Sequence, residues 1–124
     1  MDELTISGYQ EGTEKTAIYR DGVHNSTGGG YIENWSNLAY VALGLAGEAG
    51  EFAGSVKKAV RDEDGFISPI RKEELFKELG DVAWYLSQAC TELGLSLQAV
   101  LDYNLTKLES RKDRGVLTGS GDNR

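Results

Sequence analysis

Apolar positions recur at helical spacing along most of the chain and alternate at strand spacing almost nowhere. Four helices are predicted. A polar, weakly amphipathic segment, LTISGYQEGTEKTAIYR (4–20), reads as the first, and DGVHNSTGGGY (21–31) reads as a loop on composition alone. Asn34 or Ser36 can cap a second helix that runs to about Arg61. RDEDGFISPI, with Gly65 and Pro69 as punctuation, breaks the pattern. A third helix then runs from about Lys72 to Leu93 and closes at Gly94, and Ser96 caps a fourth that runs to about Arg111. The expected organisation is one all-α domain over residues 1–124, with a helical core at 34–112 and a glycine-rich, flexible tail at 113–124.

Projection at about 100° per residue gives the second helix a core stripe of Leu38, Ala42, Leu45, Ala49, Phe52 and Val56. The third helix has an equivalent stripe of Leu75, Leu79, Val82, Leu86, Ala89 and Leu93. Glu48 and Glu51 fall on one flank of the first stripe, and Glu78 and Asp81 fall on the same flank of the second, with Tyr85 between them. One acidic pair spaced i, i+3 is ordinarily a solvated helix face. Two pairs on matching flanks converge if the helices pack as antiparallel neighbours, and four converging carboxylates repel unless they are protonated or bind a cation. An oxygen-only donor set suits a hard divalent ion such as magnesium. Zinc and ferritin-like iron fit less well, because the one histidine, His24, lies in the expected loop.

Three glycines and two glutamates fill GLAGEAGEF (44–52), although each glycine costs a helix interior about 1 kcal/mol relative to alanine. Gly44, Gly47, Gly50 and Gly54 project away from the expected core stripe, a face that permits close approach of another backbone or a ligand. The fourth helix supplies the opposite charge. Asn104 projects into the middle of its stripe of Leu97, Val100, Leu101 and Leu108, and Lys107 and Arg111 project on its edge. Inward cations suit phosphate or the four carboxylates themselves, although lysines also snorkel along core edges for packing alone.

Composition narrows the classes. A net charge of −7 argues against a general nucleic-acid or anionic-membrane binder, both of which need a basic footprint. The longest nearly apolar run, LAYVALGLAG (38–47), is half a membrane span, and the start, MDELTISGYQ, carries no apolar leader. The single cysteine, Cys90, lies in an apolar helical run and fits a reducing, cytoplasmic setting.

GEAGEF places E-x-x-E at Glu48 and Glu51, and KELGDVAWYL places E-x-x-D at Glu78 and Asp81, with residues 52–77 between the pairs. Over about 34–112 this resembles the all-α nucleoside triphosphate pyrophosphohydrolases, the MazG-like group related to dimeric dUTPases, dCTP pyrophosphatases and phosphoribosyl-ATP pyrophosphohydrolase. The resemblance implies a four-helix bundle core assembling into a homodimer or homotetramer, with Mg2+ held by Glu48, Glu51, Glu78 and Asp81 and Mn2+ as a substitute. It also implies hydrolysis of an NTP or dNTP between the α and β phosphates; Glu48 and Glu51 are the candidate catalytic residues, Glu48 either joining the metal ligands or orienting the attacking water, with the base left open between the carboxylates. Lys107 and Arg111 are the expected triphosphate contacts, with Asn104 beside them and Lys57 as a weaker candidate, and Tyr85 and Trp35 are candidates for walling the base pocket. The alternative from another class is a catalytically silent helical oligomer that binds nucleotides as a regulator.

Overall fold

The structure is a computed structural model and describes residues 2–19 and 35–124, the side chains of Trp35 and Ser36 excepted. Four helices follow one another: α1 (Ile6–Glu14), α2 (Trp35–Asp62), α3 (Pro69–Glu92) and α4 (Leu97–Asp113). No strand occurs among the described residues, and the fold is all-α as the periodicity predicts. The expected loop at 21–31, the His24 in it and the Asn34 cap lie outside the described residues, whereas α2 begins at Trp35, so Ser36 lies within the helix and not at its cap.

Local chemistry sets the ends. Thr5 Oγ1 accepts the Gly8 N–H at 3.0 Å and opens α1, which is shorter than the expected 4–20. Ser68 Oγ accepts the Arg71 N–H at 3.1 Å, so α3 begins at Pro69 rather than near Lys72. Proline at the first helical position forfeits only an N–H that has no intrahelical acceptor, and the residue that read as a break is a start. At the other end of α3, Gly94 takes φ 68°, while Leu95 N–H reaches the Cys90 carbonyl at 2.8 Å and Gly94 N–H reaches Thr91 at 3.0 Å. Ser96 caps α4 as expected, through the Ala99 N–H.

The main packing is an antiparallel α2/α3 hairpin, in which Gly44 lies against Tyr85 and Ser55 against Arg71. The other two helices sit beside α3: α1 packs on α3 and α4, and α4 packs on α1 and α3 but not on α2. The α1/α3 seam is polar. Thr13 Oγ1 lies 2.9 Å from Ser87 Oγ and accepts from Gln88 Nε2 at 2.9 Å, and Tyr19 OH donates to Glu92 Oε1 at 2.8 Å. Gln10 donates to the Leu95 carbonyl and accepts the Leu97 N–H, tying α1 to the α3–α4 junction. Ser87 and Gln88 are wholly buried, which is tolerable because their polar atoms are paired.

The core stripes need correcting. Ala42 and Ala49 of α2 are exposed, whereas Asn37, Val41 and Ala59 are buried and Glu48 and Ser55 are half-buried. The packed face is therefore rotated towards Glu48. On α3, Leu79 and Leu93 are exposed and the deepest residues are Ser87, Gln88 and Cys90. On α4, Asn104 is exposed and Leu108 partly so, while Arg111 is buried. Apolarity alone misplaced these faces because α3 buries hydrogen-bonded polar groups against α1, a pairing that periodicity cannot register.

Candidate active site

Rotation of the α2 face carries Glu48 into the helix hairpin rather than leaving it on a flank. Glu48, Glu78 and Asp81 each offer an oxygen within 4.8 Å of the others, two residues half-buried and the third exposed. The i, i+3 spacing puts Glu78 and Asp81 on one side of α3, and the antiparallel hairpin brings Glu48 across to them. Glu51, one turn along α2, is exposed and lies outside this triad, although its charge still acts on Glu48.

Glu48 has its pKa raised above the ordinary 4.5, first by burial and then by the negative charges of Glu51, Asp81 and Glu78 and a hydrogen bond with Glu78. The cluster therefore resists holding full negative charge by itself. Its all-oxygen donor set suits a hard divalent cation, which Glu48, Glu78 and Asp81 would hold together. The pH consequence follows from the sign. A raised carboxylate pKa means that the folded protein binds more protons than the unfolded chain from about pH 4.5 up to the raised value. Metal-free stability is expected to fall as pH rises through that window, while bound metal, which needs the deprotonated form, becomes more stabilising. Thermal melts with EDTA and with Mg2+ at successive pH values are expected to show a metal-induced Tm increase that grows across the window; a flat difference would contradict it.

Around the acids, Thr16, Glu48, Asp81, Trp84 and Tyr85 line a cleft of about 330 Å³. Its wall is aromatic. Trp84 and Tyr85 meet edge to face with centroids 5.0 Å apart, Tyr40 lies 6.5 Å from Tyr85, and Tyr19 stacks on Tyr40 at 4.9 Å. Trp84 Nε1 donates to Thr16 Oγ1 at 2.8 Å, which fixes the indole. Burial first, then Tyr40 and the charges of Glu48 and Asp81, push the Tyr85 phenol up, so it stays a neutral donor.

Tyr85 lies beside the acids, on the flank where the helical projection puts it, while Trp84 and Thr16, which also line the cleft, and Tyr40, which packs on Tyr85, were missed. The adjacent Trp84 carried a signal, being next to Tyr85; Thr16 carried none, since its approach depends on how α1 lies on α3. A Cβ on Gly44 would overlap the Tyr85 ring, so this glycine faces α3 rather than away from the core, whereas Gly47, Gly50 and Gly54 have open space. Lys107 and Arg111 interact with the chain's own tail through Asp122, and α4 does not pack on the α2 that carries Glu48. Asn104 and Lys57 are exposed and do not line the cleft. Trp35 opens α2, but its side chain lies outside the described residues. No helix among the described residues is long and apolar enough to cross a membrane.

Fold and site together define an all-α protein with a carboxylate cluster for a divalent cation and an aromatic wall beside it. Residues 37–116 match the MazG nucleotide pyrophosphohydrolase domain, and the chain belongs to that family. It is 48% identical to the Gene 37 protein of Mycobacterium phage L5 over 121 residues, covering 98% of this chain and 100% of that one. No solved structure matches it.

Proposed function

We propose that the protein is a magnesium-dependent pyrophosphohydrolase that cleaves an NTP or dNTP between the α and β phosphates, releasing the monophosphate and pyrophosphate. The observation that carries this reading is the triad of Glu48, Glu78 and Asp81 in a cleft walled by Trp84 and Tyr85. Glu48, Glu78 and Asp81 hold Mg2+, or Mn2+ in its place, and Glu51 stands ready as a fourth acid. The bound ion supplies charge neutralisation at the phosphates and a more acidic water. The side chains do the positioning: half-buried Glu48 holds or orients the attacking water with Glu51, and the face of Trp84 or Tyr85 offers a surface for a base, joined by Trp35. Lys107, Arg111, Asn104 and Lys57 are assigned to the substrate, with the two α4 cations bearing on phosphate.

Because α4 does not pack on the α2 that carries Glu48, we assign those cations to the phosphates of substrate held by a second copy, in a homodimer or homotetramer. Exposed Leu43, Ile70 and Phe76, each about three-quarters accessible, support such an assembly. The substrate and a reduced Cys90 suit the cytoplasm.

The test is anion-exchange analysis of products from each common NTP and dNTP, with Mg2+ and then with EDTA, beside a Glu51→Gln, Asp81→Asn double variant. Monophosphate and pyrophosphate in equal amounts, lost with EDTA and in the variant, are expected. Intact triphosphates under every divalent metal would overturn the enzymatic reading and favour a nucleotide-binding regulator.

A further inference from the structure

The tail beyond α4 doubles back on the helix and is tied there by arginines. Gly115 takes φ 70° and ends α4, with Val116 N–H on the Arg111 carbonyl at 2.8 Å. Arg124 donates to the carbonyls of Val116, Gly121 and Leu117 at 3.2, 2.6 and 3.2 Å, and Arg114 donates to the Arg124 carbonyl at 3.0 Å. This loop delivers Asp122 to the two α4 cations. Lys107 Nζ and Arg111 Nη2 both lie 3.4 Å from Asp122 Oδ1, and Arg111 Nη2 also donates to the Asp122 carbonyl at 2.7 Å and the Gly121 carbonyl at 3.4 Å. The Asp122 carboxyl is held below its usual range, first by Lys107 and then by Arg111.

The match is poor for a guanidinium placed this deep. Arg111 has a side chain only 6% exposed; among the described residues its Nε has no hydrogen-bond partner, and its one carboxylate contact is long and comes from a residue 86% exposed. Guanidinium favours two parallel, short bonds to a planar or phosphoryl oxyanion. One Asp122 oxygen, shared between two cations at 3.4 Å, supplies neither. Contacts of this length to an exposed carboxylate are weak, and a phosphoryl group offers more oxygens and more charge.

We propose that Lys107 and Arg111 form a phosphoryl-anion site that the chain's own Asp122 fills, so that the tail and a phosphate-bearing ligand exclude one another. The inference rests on the assignment of these cations to phosphate made above, and adds that the tail competes for them. Occupation by Asp122 weakens ligand binding and makes the tail's attachment a readout of phosphate occupancy.

Titration calorimetry of the full-length protein with inorganic pyrophosphate in EDTA isolates these cations from metal at the acids. Asp122→Asn keeps the shape and removes the charge, and is expected to tighten pyrophosphate binding by about 2- to 5-fold. Lys107→Ala is expected to weaken it. In the unsubstituted protein, pyrophosphate is expected to speed hydrogen exchange at residues 115–124 as the tail is released. Unchanged affinity in Asp122→Asn, with binding lost in Lys107→Ala, would overturn the competition and leave the phosphate assignment standing. Binding indifferent to both substitutions would overturn both. Slower exchange in the tail would overturn the proposal in favour of a tail that closes over the ligand.

Discussion

Replacing Asp81 by asparagine is expected to reduce kcat/KM for nucleoside triphosphate hydrolysis by about 10³-fold or more, with the fold intact. Asp81 is one of the three carboxylates whose oxygens come within 4.8 Å of one another, and loss of its charge weakens the hold on the cation that neutralises the phosphates. That neutralisation amounts to several kcal/mol of transition-state stabilisation, and each factor of ten in rate corresponds to about 1.4 kcal/mol. The stability readout should move the other way. Asp81 contributes to raising the pKa of Glu48 through like-charge repulsion, so its neutralisation relieves the metal-free cluster. The urea midpoint in EDTA is expected to stay level or rise, and the Mg2+-induced increase in Tm is expected to shrink. Full turnover in the variant would remove Asp81 from the metal set; lost turnover with a collapsed midpoint would point to a structural role instead.

The second large effect is expected at Gly44. A Cβ there would overlap the Tyr85 ring, and the ring can yield only by leaving its contacts with Trp84 and Tyr40. Overpacking costs about 1–3 kcal/mol, and alanine returns about 1 kcal/mol of helix propensity, so Gly44→Ala is expected to destabilise by up to about 2 kcal/mol. It is also expected to raise KM, because the displaced ring lines the cleft. In a Tyr85→Ala background the clash is absent and the same substitution should stabilise by up to about 1 kcal/mol. Urea midpoints of the four members of this cycle give the coupling; additivity would show that the ring moves aside freely. Gly50→Ala is a useful contrast, since its Cβ meets open space within the chain. It is expected to stabilise by about 1 kcal/mol if that face is solvated, and to destabilise if a second copy packs on it.

Much of the fold was legible from spacing. Helical periodicity, the Ser96 cap and the Gly94 terminus are local features set by a few neighbouring residues, and they stand in the structure with small shifts. Pro69 was misread because proline ends one helix and begins another with the same chemistry, and only the Ser68 cap distinguishes the two. The acidic pairs were legible in part: i, i+3 carboxylates must share a side of any helix that forms, but of the α2 pair only Glu48 joins Glu78 and Asp81, while Glu51 stays exposed outside them.

What the sequence by itself determined was therefore the helices, the Ser96 and Gly94 boundaries and the pairing of acids along each helix, all consequences of short-range geometry. Tertiary packing decided the rest. It rotated α2 so that Glu48 enters the hairpin, turned Gly44 towards Tyr85, buried Ser87 and Gln88 against α1, and brought Trp84 and Thr16 beside the acids. It also placed Asp122 on Lys107 and Arg111, cations that the sequence had assigned to phosphate. Each of these depends on which polar groups find partners across helices, and that pairing energy exists only between residues distant in the chain, beyond the reach of a periodic pattern.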